Sequence, residues 1–96
     1  MLILPIKKKW YDMIFLGEKK EEYREIKPYY ETRFHKIWGN NLQNNPIPKE
    51  IIFRNGYSKG SPSFTAKCSI KIGYGKTEWG AEKEKEYYIL QINEII

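Results

Sequence analysis

The stretch Lys19-Lys20-Glu21-Glu22-Tyr23-Arg24 brings an amine, a carboxylate and a guanidinium close enough to act as one group. If residues Lys20 to Ile26 form a strand, side chains alternate between its faces. Lys20, Glu22 and Arg24 then share one face at about 6.6 Å spacing, while Tyr23 points to the other. Lys19 lies at the turn just before, from which it can curl toward the same opening. In such a site Arg24 offers a planar fork to a phosphate or a base edge, and Glu22 accepts from an exocyclic amine. The same residues would equally serve as a structural ion pair on an edge strand. The two readings differ in whether Arg24 is needed for a ligand or for the fold.

A second set of residues has the chemistry of polyanion recognition. Arg54, Lys59, Lys67 and Lys71 could follow a phosphate backbone, and Tyr57 and Trp79 could stack on unpaired bases. The charge distribution agrees with this. Between Thr32 and Thr77 eight cations face the single acid Glu50, whereas the rest of the chain holds nine cations and eleven acids. An excess gathered in the middle of a small chain can make one face positive. The plainer readings are packing or loop filling for the two aromatics, and a solvated strand face for Lys67 and Lys71.

Other chemistries lack their residues. His35 is the only histidine and Cys68 the only cysteine, so neither a zinc site nor a histidine-based nucleophile arrangement can be built, and no carboxylate cluster has metal-ligand spacing. Gly73 and Gly75 are not followed by the Lys-Ser/Thr pair and helix of a nucleotide phosphate loop. No metal and no cofactor are expected, and Cys68 reads as a small core residue.

The elements that must position these groups are short. Leu2, Ile3 and Leu4 start a strand ending at Pro5. From Lys7 to Leu16, Trp10, Met13, Ile14 and Leu16 form an apolar helical stripe, stopped by Gly17. Pro28 suits the first turn of a second helix, with Glu31 at its positive end and Tyr30, Phe34, Ile37 and Trp38 on one face. The Asn- and Pro-rich residues Asn40 to Pro48 predict a loop, Glu50 to Arg54 a strand, and Gly56 to Pro62 a turn. Phe64, Ala66, Cys68, Ile70, Ile72 and Tyr74 alternate with Thr65, Lys67, Ser69, Lys71 and Gly73, the period of a strand with one buried face. After turn material around Gly80, Tyr87 to Ile96 predicts a last strand with Tyr88, Leu90 and Ile92 inward. This order predicts a single α+β domain over residues 1–96 with two helices and a curled, barrel-like mixed sheet.

Length and composition fit that domain. At 96 residues there is room for one core. A hydrophobic fraction of 41% excludes a disordered chain despite 30% charged residues. The only apolar run near the N-terminus, Leu2 to Ile6, is too short for a signal peptide or a membrane span, so the expectation is a soluble, cytoplasmic protein with no membrane partner.

Gly17-Glu18-Lys19-Lys20-Glu21-Glu22-Tyr23-Arg24 resembles the signature of the ASCH domain, a branch of the PUA-like barrel superfamily, in which G-x-K-x-x-E-x-R follows a short strand and helix. The match falls on Gly17, Lys19, Glu22 and Arg24, preceded by Leu4-Pro5-Ile6-Lys7 and the helix carrying Trp10 and Ile14, and it covers residues 2–26 best. The later segments Ile52-Phe53-Arg54-Asn55-Gly56-Tyr57 and Glu78-Trp79-Gly80-Ala81-Glu82 also look like parts of small bacterial or phage relatives. The resemblance implies a small PUA-like mixed β-barrel, a cleft between the first helix and the barrel lined by Lys19, Glu22 and Arg24, and binding of RNA, another nucleic acid or a nucleotide-like small molecule. Some ASCH-like proteins are amidohydrolases that deacylate acetylated cytidine with the motif lysine, a threonine three residues later and a distant glutamate, and a ribonuclease activity is also associated with the family. Here Lys19 is in place but the threonine position is Glu22, whose charge makes it a poor substitute for an activated hydroxyl. Glu22 could instead act as a general base toward water. The expectation is therefore a binding module, with a small amidohydrolase or nuclease as the alternative and a protein-interaction module with exposed aromatic anchors as a third reading.

Overall fold

Period-2 segments and two amphipathic stretches give seven elements, and the computed structural model describes all of residues 1–96. They run in the order β1 (Ile3–Ile6), α1 (Lys8–Phe15), β2 (Glu21–Glu25), α2 (Pro28–Trp38), β3 (Asn44–Asn55), β4 (Ser63–Tyr74) and β5 (Glu86–Ile95), with a 3-10 turn at Thr77–Trp79 before β5. The strands form one mixed sheet in the order β1-β3-β4-β5-β2, curled into a half-barrel. β1 pairs in parallel with β3 and every other pair is antiparallel. The expected α+β, barrel-like architecture with two helices is what the chain adopts. No helix is long and apolar enough to cross a membrane.

The concave face holds the main core. Phe64, Ala66, Cys68 and Ile70 project from β4 against Ile51 and Phe53 of β3, Tyr88 and Leu90 of β5, Ile14 of α1, and Phe34 and Trp38 of α2. Cys68 is wholly buried, and desolvation raises its thiol pKa to about 12, so it stays protonated and packs as a small apolar group. The alternation holds through Cys68 and then runs out: Ser69, expected outward, is buried along with Ile70, Ile72 is half-buried, and Tyr74, expected inward, is exposed because β4 extends past the core.

Three further expectations are corrected. The expected loop from Asn40 to Pro48 ends early, since β3 begins at Asn44, where Asn44 and Asn45 pair with Lys71 and Ile70. The register shifts between Asn45 and Lys49, which accommodates Pro46 and Pro48, residues with no N–H to give a ladder. Buried Asn45 ties this segment to α2 by donating to the Trp38 carbonyl at 3.2 Å, and Trp38 Nε1 donates to the Ile47 carbonyl at 2.9 Å. Leu16, assigned to the apolar stripe of the first helix, lies just past the end of α1 and is exposed. In β5, Tyr87 and Ile89 are buried along with Tyr88 and Leu90, so this strand is covered on both faces.

The second covering comes from the segment between β4 and β5. It folds back over the convex face and packs Ala81 on Tyr87 and Ile89, with Tyr23 beside them. The Tyr23 hydroxyl donates to Glu21 at 2.7 Å and accepts from the Lys76 backbone N–H at 3.0 Å, so its ring is held. A Cβ at Gly75 would lie 2.6 Å from that ring and 2.8 Å from the Ala81 Cβ. Gly75→Ala is therefore expected to overpack the layer and cost about 1–3 kcal/mol. Thermal melting checks this: an unchanged melting temperature would mean that the segment can lift off the sheet freely.

Candidate functional site

The turn between α1 and β2 builds the site. Gly17 adopts φ of 80°, a left-handed conformation that costs glycine little, and the chain doubles back beneath the helix. The backbone N–H groups of Glu18 and Lys19 both return to the Met13 carbonyl, at 2.8 and 3.0 Å. Lys19 is thereby delivered under α1 rather than to solvent, and its side chain is fully buried. Its Nζ donates to Glu22 Oε1 at 2.9 Å and to the Glu21 carbonyl, and sits 5.4 and 4.9 Å from the ring centroids of Trp10 and Tyr23. Burial lowers the Lys19 pKa, an effect that the neighbouring Glu22 carboxylate opposes.

β2 is an edge strand, and its alternation sends Glu22 and Arg24 to the concave side, in register with Leu90 and Tyr88 of β5. Glu22 thus stands between two cations. Its Oε2 accepts from Arg24 Nη2 at 2.8 Å while Oε1 holds Lys19. Arg24 also donates through Nη2 to the Pro5 carbonyl at 3.0 Å and through Nη1 to the Tyr30 hydroxyl at 3.2 Å. Pro5 belongs to β1 at the opposite edge of the sheet, so this guanidinium bridges the open seam of the half-barrel. Burial works against the Arg24 charge, and Glu22 together with Tyr30 more than restores it. Arg24 Nε is buried with no hydrogen-bond partner. The trio carries two positive charges and one negative.

A cleft opens on either side of Arg24. One, of about 260 Å³, has Glu22 and Arg24 at its base, Trp10 and Tyr57 as aromatic sides, and Pro5, Ile6 and Lys7 at its border. The other, of about 360 Å³, follows β2 past Tyr30, Lys27, Lys85 and Tyr87. Gly80 lets the 3-10 turn lean on the tryptophan, since a Cβ there would approach the Trp10 ring to 3.1 Å. The start of α1 adds positive potential to the first cleft. It has no side-chain cap and no acid in its first turn, and Lys7, Lys8 and Lys9 stand where a helix favours negative groups. Of these, Lys8 is paired, with Asp12 at 2.6 Å.

The expected trio meets at Glu22, which pairs with both Lys19 and Arg24, and Tyr57, 88% exposed, lines the same cleft. Arg54 is half-buried in β3, in register with Pro5. The other residues lie elsewhere. Trp79 borders a separate groove with Lys20, Glu21 and Lys76, while Lys67 is 3.7 Å from Glu94 and Lys71 4.0 Å from Glu21. The cations of the middle segment therefore do not converge on the cleft. His35 Nδ1 lies 2.7 Å from the Gly39 carbonyl at the end of α2, which requires the proton on that nitrogen. No group of three His, Cys, Asp or Glu side chains is placed to hold a metal ion.

Sequence reasoning missed Trp10 and Tyr30 as site residues, because an aromatic on an apolar helical face reads as core. It also missed the Pro5 carbonyl, since a backbone acceptor has no signature. A signal for the α1 end was present: a run of three lysines opening a helix with no acid to offset the dipole. No family model, no curated protein and no solved structure matches this chain.

Proposed function

We propose that this chain is an ASCH-like nucleic-acid-binding module of the cytoplasm that takes one nucleotide-like unit, most naturally from single-stranded RNA, into the cleft between α1 and the half-barrel. The observation that carries this reading is the Glu22–Arg24 pair at the base of a cleft flanked by Trp10 and Tyr57. Aromatic sides accept the face of a base, and a splayed, unpaired base can present its hydrogen-bonding edge to a polar floor. Glu22 and Arg24 supply that polar floor. Lys7 and the uncapped start of α1 favour a phosphate at the border. Steep weakening of binding with added salt is the expected signature.

The hydrolytic alternative is less well served by the same atoms. Lys19 is sealed from the cleft, and both Glu22 oxygens are already engaged by cations, which leaves neither oxygen free to take a proton from water. The test of the binding reading is Tyr57→Ala. Because the Tyr57 side chain is exposed, its removal should leave thermal stability unchanged, while a lost stacking contact worth about 1–3 kcal/mol should weaken binding of a short oligouridylate roughly 5- to 150-fold. Equal affinity for the two proteins would remove the cleft from the account.

A further inference from the structure

The strand that feeds the cleft also borders a second concavity. Glu22 and Arg24 of β2 face inward, so Glu21 and Tyr23 face outward, and the free edge of β2 is the ridge between the two sides. Beyond it lies an open groove of about 540 Å³ bordered by Lys20, Glu21, Lys76, Trp79, Gln91 and Asn93. We propose that this groove holds the continuation of a single-stranded RNA whose anchoring unit occupies the cleft, with Trp79 as a stacking surface and Lys20 and Lys76 as phosphate contacts.

Charge complementarity identifies the occupant. Lys20 and Lys76 form no ion pair, whereas Glu21, the one acid bordering the groove, is already taken up by the Tyr23 hydroxyl at 2.7 Å and by Lys71 at 4.0 Å. Trp79 is half-buried and held by its own turn, its backbone N–H donating to the Lys76 carbonyl at 3.0 Å. The Lys76 amine lies over the Trp79 ring, 4.5 Å from its centre, so a base that stacks on that face displaces the amine, which on its flexible stem is left to meet the adjoining phosphate. Gln91 accepts the Ser69 hydroxyl through Oε1 at 3.3 Å, which leaves its amide nitrogen free to donate, and Asn93 is exposed beside it. Amides that both donate and accept suit a ribose 2′-hydroxyl, which does the same.

This inference rests on the cleft reading, and the three tryptophans separate the two. Trp10 reports the cleft, Trp79 reports the groove, and Trp38 is buried in the core as a constant background. Fluorescence is followed in Trp79→Phe and Trp10→Phe proteins titrated with a uridine dinucleotide and with an oligouridylate of about twelve residues, within the span that small barrels cover. The dinucleotide should quench Trp10 alone and the longer strand both. Lys20→Gln with Lys76→Gln should weaken the longer strand by about tenfold or more at low salt and leave the dinucleotide unaffected.

Quenching of Trp10 by the long strand with Trp79 silent and the lysine variants neutral would overturn the groove and leave the cleft standing. Quenching of Trp79 alone would uphold the groove and overturn the cleft, and silence from both would overturn both. Equal response of Trp79 to oligothymidylate of the same length would overturn the assignment to RNA.

Discussion

Glu22→Gln is expected to unfold the protein at markedly lower temperature. Lys19 and Arg24 lean on the two oxygens of this one buried carboxylate, and no second acid contacts either of them. Replacing it with an amide keeps the shape and strands two cations, one wholly buried and one nearly so. Breaking a buried pair in this way costs about 3–5 kcal/mol, and in a domain of this size that amounts to a fall of roughly 12 °C or more in melting temperature.

The loss should also depend on pH. Burial already lowers the Lys19 pKa in the native protein, and Glu22 is the first of the influences holding it up. Without that carboxylate the folded-state value falls further, while the unfolded chain keeps an ordinary lysine near pKa ~10.4. Between the two values the unfolded state binds more protons, so stability rises with pH, and it does so over a wider window in the variant. Urea denaturation at neutral pH and again near pH ~9.5 should therefore show the gap between the two proteins narrowing. A gap of the same size at both pH values would mean that Glu22 does not move the titration of folded Lys19 within that range, and a loss below about 1 kcal/mol that the trio is not a coupled unit.

Arg24→Lys should separate the two things that this guanidinium does. Its fork reaches Glu22, the Pro5 carbonyl and the Tyr30 hydroxyl together, whereas an ammonium is a point charge on a flexible stem. Lysine would keep the pairing with Glu22 but give up the bridge across the seam, at a cost of about 1–3 kcal/mol for the hydrogen bonds lost. It would also replace the planar guanidinium that Arg24 contributes to the base of the cleft. If a base edge or phosphate is read there, affinity for a short oligouridylate should fall roughly 10- to 100-fold. Melting temperature and affinity measured on the same variant decide the matter. Reduced stability with affinity intact would make Arg24 a bolt across the half-barrel and nothing more.

Much of the site was legible in the chain because its parts are local. Gly17, Lys19, Glu22 and Arg24 lie within eight residues, and a glycine turn followed by a period-2 strand places them by rules that need no distant contact. The same holds for Pro28 at the start of α2 and for the alternation of Phe64, Ala66, Cys68 and Ile70 in β4. The charge excess of the middle segment was legible as a number but not as a surface. Lys67 and Lys71 belong to it, yet each ends up beside an acid contributed by another strand, away from the cleft.

By itself the sequence determined an α+β domain with two helices and a curled, barrel-like sheet, the burial of Cys68, and Glu22 and Arg24 on one face of β2 with Lys19 at the turn before it. These follow from side-chain periodicity, glycine geometry and spacing along a single element. Tertiary structure alone decided what the trio touches and which surfaces it commands. The curl of the sheet brings Pro5, 19 residues from Arg24 in sequence, within hydrogen-bond distance of its guanidinium. The return of the segment before β5 over the convex face buries Tyr87 and Ile89, which a one-sided strand would have left in water. The register of β4 draws Asn44 and Asn45 into β3 against their own turn-forming preference. Each of these is a contact between residues far apart in the chain, and its free energy exists only once the sheet has closed far enough for the partners to meet.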